Sequence, residues 1–423
     1  MNTVIDTSVL ARSVPTAQYD VVVLGAGPYG LSVAAHLLGK NLQVAVFGKT
    51  MEIWRDYMPK GMLLRSYWWA TNLSDPQNRF GLERYLIDER GQQGFDPVPG
   101  ETIADYGLWF QKHAVPKVDE TYIEKIERRD EHFEITLVDG RVLTSASVVM
   151  APGLQPYVYR PPEYDHLPRE LVSHTAELPT FEHLAGKKVV MLGGGQSALE
   201  GSALAYESGV EIELVSRKAI VWLQGEAGFP TKRPLLERLL EPRAGISAGW
   251  FNKIEETLPY TFQRLPRSTK DRFLQGMGAH GPMGSSWLKP RLYGKVPLHE
   301  QTLMQQVKES AGGLLVSLSS GQNIQADHLI LGTGYRLDLK RLHMLGTSIL
   351  PHLEHYQGAP VLSSHFESTI PGLYFVGFSS YKSCGPYYRF IVGTGAAARR
   401  VAGAAAHHVR ATKHSSHSTA RHA

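Results

Sequence analysis

The stretch Val21-Val22-Val23-Leu24-Gly25-Ala26-Gly27-Pro28-Tyr29-Gly30 decides how the rest of the chain is read. Four consecutive apolar residues suit a strand buried on both faces of a parallel sheet. The glycines follow at the spacing G-x-G-x-x-G, Leu31 to Leu38 continues as a helix, and Val44-Ala45-Val46-Phe47 supplies a second strand. Strand, glycine turn, helix, strand is the context in which this spacing binds a dinucleotide. Gly25 permits the tight turn, Gly27 lets a pyrophosphate approach the backbone, and Gly30 lets helix and strand pack closely. Pro28 opens the helix, whose free N–H groups face the phosphates.

The pattern recurs about a domain's length further on. Lys188 to Leu192 reads as a strand, Gly193-Gly194-Gly195-Gln196-Ser197-Ala198 as the turn, Ser202 to Ser208 as helix, and Ile212 to Val215 as the next strand. Two complete units in one chain predict two bound dinucleotides. Each is followed by a hairpin-rich stretch that closes on a glycine turn. The first runs from Tyr122 through Ile126 and Asp139-Gly140 to Ala151-Pro152-Gly153. The second runs through Ser320-Gly321 to Gly332-Thr333-Gly334-Tyr335, and a last strand ends at Gly377.

This pattern divides the chain. Residues 19–155 and 325–406 form the first domain, and 156–324 the second, inserted in the first and carrying a partly helical insertion over 221–298 that covers the active site. Residues 1–18 form a flexible lead, and 407–423 a disordered tail. The fold class is α/β with two Rossmann-like dinucleotide-binding domains.

The chain has 423 residues, 43% hydrophobic and 20% charged, with 41 glycines and one cysteine, Cys384. One cysteine excludes an intrachain disulfide, a redox pair and an all-thiolate metal site. The net charge is +4, but Arg410, Lys413 and Arg421 of the tail supply three of these charges, so the body is near neutral. That argues against a nucleic-acid groove spread over the fold. No apolar run is long enough to span a membrane, and the first 18 residues, with Asp6 and Arg12, do not read as a secretory signal. A cytoplasmic protein without membrane or nucleic-acid partners is expected, and a homo-oligomer is left open. His407-His408 reads as solvated tail, and no other cluster has metal-ligand spacing.

Taken together, these motifs resemble the two-dinucleotide-domain flavin-dependent monooxygenases. Disulfide reductases share that architecture but need a cysteine pair. Three motifs resemble the N-hydroxylating (lysine and ornithine) group in particular. Gly193 to Glu200 is similar to its nicotinamide turn. Asp327 to Tyr335 resembles its Asp-x-x-x-(Leu/Phe)-Ala-Thr-Gly-Tyr motif, with Gly332 in place of Ala. Met62-Leu63-Leu64-Arg65-Ser66 resembles the segment beside the flavin, with Leu64 where amino-acid hydroxylases carry Gln. Their asparagine-rich region is absent. Pro59-Lys60-Gly61-Met62 and Leu258 to Pro266 resemble instead a bacterial branch with urate-hydroxylase-like members. A Baeyer–Villiger signature is absent, although Ser173-His174 occupies a comparable place.

The resemblance implies FAD and NADPH as cofactors, and molecular oxygen and a small molecule as co-substrates. It also implies a C4a-hydroperoxyflavin that hydroxylates the substrate, with nitrogen favoured. Urate-type ring hydroxylation and an NADPH oxidase without oxygen insertion are the alternatives. Arg217 and Lys218, ending the second unit where an acid would hold a ribose, favour the 2′-phosphate of NADPH. Gly48 and Lys49 end the first unit, with Trp54 and Arg55 just beyond to contact the dinucleotide. Tyr67-Trp68-Trp69 and Tyr387-Tyr388 are pocket walls or core. Gln196 and Arg389 are the catalytic candidates: one to reach the flavin edge, the other to hold a polar or anionic substrate.

Overall fold

The computed structural model describes residues 17–92, 97–223, 234–245, 249–279 and 283–419. The expected flexible lead lies outside them except for Ala17 and Gln18, which open the first strand. The architecture is mixed α/β; its two largest sheets have six and five strands.

The first sheet begins with β1 (Ala17–Leu24), α1 (Pro28–Leu38) and β2 (Val44–Phe47). Helices α2 (Leu82–Arg90) and α3 (Gly100–Ala114) follow. Next come the hairpin strands β3 (Ile123–Arg129) and β4 (His132–Leu137), and the long β5 (Val142–Met150). β1 pairs in parallel with β2 and β5, which explains why Val21, Val22 and Val23 are fully buried.

The chain then enters a second sheet through β6 (Val172–His174), β7 (Lys188–Leu192), α4 (Gln196–Glu207) and β8 (Glu211–Val215). The described part of the insertion holds β9 (Val221–Leu223), α5 (Leu235–Leu240), α6 (Trp250–Thr257), α7 (Pro259–Gln263), α8 (Arg267–Ala279), β10 (Met283–Ser285) and α9 (Lys289–Leu292). β11 (Leu298–His299) returns to the edge beside β8. A three-stranded antiparallel sheet follows, made of β12 (Met304–Ser310), β13 (Gly313–Leu318) and β14 (Asn323–Ala326). β15 (His328–Leu331) then slots between β7 and β6, giving the order β11-β8-β7-β15-β6 with every pair parallel. β15 therefore belongs to the second unit, and the expected boundary at residue 325 falls too early.

The chain returns through the short antiparallel pair β16 (His355–Tyr356) and β17 (Ala359–Pro360) to β18 (Leu373–Phe375). β18 pairs in parallel with the last part of β5, from Val148 to Met150, while β4 pairs with its first part. α10 (Tyr381–Cys384) and α11 (Thr394–Thr419) finish the described chain. α11 packs on α1, burying Val401, Ala402, Ala405 and Val409. The disorder expected from His407 is corrected as far as Thr419. Helix-forming Ala and Arg extend the last helix, and Ala406 and Val409 still face the core.

Candidate active site

A cleft with an open volume of about 320 Å³ crosses the carboxyl edge of the first sheet. It follows the strand order β2, β1, β5, β18, touching Phe47, Leu24, Ala151 and Val376 at or just beyond the four strand ends. In a parallel sheet this edge is where loops converge and ligands bind. Gly25, Gly27, Pro28, Gly30, Gly48, Lys49, Trp54, Ala151, Gly153, Gly377 and Arg389 all line it.

The glycine turn has the geometry its spacing predicts. Gly25 has φ +99°, and a Cβ there would meet the Ala151 carbonyl oxygen at 2.1 Å. A Cβ on Gly30 would lie 1.7 Å from the Gly25 oxygen. Gly27 differs: a Cβ there meets nothing within 4 Å, so its missing side chain leaves open space above the backbone. Gly27 also caps α1 without any side-chain acceptor. The first N–H groups of α1 thus face an open cradle suited to a pyrophosphate.

Several lining residues were not legible in the sequence. Tyr29 lines the cleft and donates its hydroxyl to the Phe390 carbonyl at 2.7 Å, tying the first turn to the segment before α11. Met51, with φ +54°, donates its amide to the Ala26 carbonyl and leads into a π turn at Ile53–Tyr57 that presents Trp54. Glu52 lies at the β2 end, where position 48 carries glycine at φ +113° and a Glu would be strained. Glu52 accepts a hydrogen bond from the Tyr122 hydroxyl. Phe378 and Phe390 complete the opposite end.

Other expected residues lie elsewhere. Ile126 is fully buried within β3. Arg55 turns to the Thr50 carbonyl at 3.2 Å. Met62 and Leu64 are held by backbone bonds to Gly100 and Val98 and do not line the cleft. Tyr387 and Tyr388 are core residues, with hydroxyls bonded to Asn252 and the Glu256 carbonyl of α6. Tyr67 and Trp69 stack on each other at 4.3 Å outside the cleft lining. Cys384 is buried, and burial pushes its thiol well above the ordinary range, away from nucleophilic use.

The second turn repeats the geometry of the first. Gly193 has φ +138°, and a Cβ on Gly195 again meets nothing within 4 Å, at the uncapped start of α4. Ser197 is exposed beside it. Arg217 and Lys218, just past β8, are exposed and form no ion pair with a described residue. Gln196 does not reach into the cleft. Its Oε1 accepts from the Ser285 amide at 3.0 Å and hydroxyl at 3.1 Å, and its Nε2 donates to Glu200 at 3.3 Å. Glu200 in turn accepts from the Leu63 amide at 2.8 Å, joining the second unit to the segment beside the first. Burial pushes the Glu200 carboxyl up to about 7.

The Thr-Gly turn works as a seam rather than a cleft wall. Tyr159 donates its amide to Gly334 at 3.0 Å, and Arg336 to Tyr157 at 2.7 Å, while Thr333 bonds the Tyr159 carbonyl. The two passages between sheets thus run side by side and are bonded together. His174, fully buried, donates from Nε2 to the Gly334 carbonyl, because its Nδ1 already accepts from the Ala176 amide. Tyr335 packs edge-on against Phe378. Gly332 sits against the helix of its own unit, where a Cβ would meet the Ala198 Cβ at 2.6 Å.

The family described as "Pyridine nucleotide-disulphide oxidoreductase" matches residues 22–227, spanning both glycine turns. The FAD-dependent urate hydroxylase of Xanthomonas campestris pv. campestris is 25% identical over 371 residues, covering 82% of this chain and 73% of that protein. Among solved structures, the reduced ornithine hydroxylase of Pseudomonas aeruginosa superposes with TM-score 0.72 at 18% identity, over 93% of this chain and all of that one. The Kutzneria sp. 744 ornithine N-hydroxylase, solved with reduced FAD, NADP+ and L-ornithine, gives 0.73 at 16%, over 93% and 99%. The chain resembles the flavin-dependent monooxygenases. Its relatives and fold neighbours are flavin-dependent oxidoreductases, which agrees with the expectation from the motifs.

Proposed function

We propose that the chain is a monooxygenase that uses FAD and NADPH to hydroxylate a small organic substrate at nitrogen. The observation that carries this reading is the pair of open, uncapped glycine turns at the ends of parallel strands in two sheets, with bonded passages between them. Both turns fit a dinucleotide, since each leaves space where a Cβ would stand and free N–H groups facing it. The α1 turn would hold the FAD pyrophosphate, with Glu52 and Lys49 toward its adenosine and Phe378 toward its ring. The α4 turn would hold NADPH, with Arg217 and Lys218 at its 2′-phosphate. The bound flavin supplies hydride acceptance and oxygen activation. The protein's part is to position the two cofactors and keep water out. Gln196 and Glu200 position the segment at Leu63 through the bonds described above, acting at one remove from the chemistry.

Ring hydroxylation of a urate-like substrate is the second reading, favoured by the urate hydroxylase relative. Purified protein should be yellow, and NADPH should bleach it anaerobically. In air, a screen of amines, amino acids and purines should show one whose hydroxylated product accounts for the NADPH used. Colourless protein that takes up no FAD would sink the reading. Peroxide as the sole product with every substrate would make it an oxidase.

A further inference from the structure

The insertion carries an apolar face that no described residue covers. Leu235, Leu236, Leu239 and Leu240 of α5 and Trp250 and Phe251 of α6 are each between 56% and 70% exposed. The leucines stand in two rows of i,i+4 pairs along one side of α5. Trp250 donates its indole N–H to the Leu239 carbonyl at 2.8 Å, and the Gly249 amide bonds the Pro242 carbonyl at 2.9 Å, which holds the two helices beside each other. Other exposed apolar residues, such as Ile87, Val138 and Tyr206, stand in separate parts of the chain. The platform under this face is fixed. The opposite side of α6 accepts the Tyr387 hydroxyl at Asn252 and the Tyr388 hydroxyl at the Glu256 carbonyl, and the Glu256 carboxylate accepts the Gly245 amide at 2.7 Å. Gly245 itself is buried so tightly that a Cβ there would lie 2.4 Å from a Val392 methyl.

At about 200 Å² for a whole side chain of this kind, the exposed parts of these six come to roughly 700 Å². The largest apolar patch of a monomer is usually about 300–600 Å², and a stable interface takes about 800 Å² from each partner. The charges at the face decide between occupants. Glu237, Arg238, Glu241 and Arg243 are two acids and two bases, all exposed. That balance gives no attraction to an anionic bilayer and none to a protein partner of one charge sign. It does let the face meet its own copy without like-charge repulsion. A patch exposed in every copy also needs an occupant present whenever the chain is made, and a second copy is one. We propose that the chain is a two-fold dimer in which α5 and α6 of one copy cover α5 and α6 of the other. The two-fold sets the same rows of leucines on both sides of the contact, where ridges of one helix fill grooves of its counterpart. The surface is independent of the function proposed above.

The test is the mass of the full chain in solution, by sedimentation equilibrium over a range of concentrations. The parent should be a dimer. Leu236→Glu combined with Leu240→Glu should weaken association at least about a hundredfold. Its circular dichroism should stay that of the parent, because both side chains are exposed in the single chain. If that pair unfolds, Leu236→Ser combined with Leu240→Ser is the milder change and should weaken association in the same direction. Val138→Glu, the same charge placed at an exposed residue of the first unit, should leave the dimer intact. The proposal is overturned if the parent is a monomer throughout, if the folded leucine variants associate as tightly as the parent, or if Val138→Glu dissociates as much as they do. It also falls if a monomeric parent sediments with vesicles of phosphatidylcholine and phosphatidylglycerol, because a lipid surface would then be the occupant. Mass is read without reference to colour, so a yellow monomer refutes only the dimer, whereas a colourless dimer refutes only the flavin reading.

Discussion

The residues that meet within one turn of chain were legible, and those that meet across the sheet were not. Gly25, Gly27 and Gly30 declare themselves because strand, turn and helix are contiguous. Glu52, Phe378 and Phe390 enter the same cleft from three separate segments, and no local pattern brings them together. Glu200 went unremarked for the same reason, since its partner Leu63 is on the other unit. Its chemistry gives a pH signature. Burial favours the neutral carboxyl, so its stabilising effect is complete below the ordinary carboxylate pKa of about 4.3 and is lost as pH rises through about 7. Glu200→Gln should remove that loss, raising the apparent Tm relative to the parent by about 2–4 °C at pH 8 and little at pH 5. Parallel pH profiles of Tm for the two proteins would contradict this. Arg217→Ala should raise the KM for NADPH about tenfold or more while leaving that for NADH nearly unchanged. Equal effects in steady-state assays would remove the 2′-phosphate assignment.

At the scale of elements, periodicity located both βαβ units but missed β12 entirely. Only Val307 of β12 is buried, so the strand offers no alternation to read. α11 outran its expected end because between His407 and His414 only Val409 is buried, too little apolar periodicity to read as a helix. The two units also solve one packing problem in mirrored ways. In the first, glycine stands in the helix at Gly30 and alanine at the strand end, Ala151. In the second, alanine stands in the helix at Ala198 and glycine at Gly332. Gly332→Ala should therefore cost about 1–3 kcal/mol through overpacking. Adding Ala198→Gly should recover most of it, minus a fraction of the helix penalty. Denaturant titration of both single variants and the pair measures the coupling, and strictly additive losses would show that the two sites do not share the space.

For the molecule as a whole, the repeated motif predicted two nucleotide units, and the single cysteine excluded an intrachain cysteine pair. The exact junction was beyond reach. β15 carries an apolar run that fits either sheet, and its neighbours are fixed only by pairing with β6 and β7. The first sheet is discontinuous in sequence, because β18 joins β5 long after β5 has been made, and α11 covers α1 later still. That has a consequence for synthesis on the ribosome. The second unit can close as soon as β15 emerges, whereas the cleft lacks one wall until the segment from Val376 to Ile391 has been translated. With FAD assigned to that cleft as proposed above, flavin capture should be among the last events of biogenesis. A chain stopped before β18 should build its nicotinamide half yet leave the cell without colour.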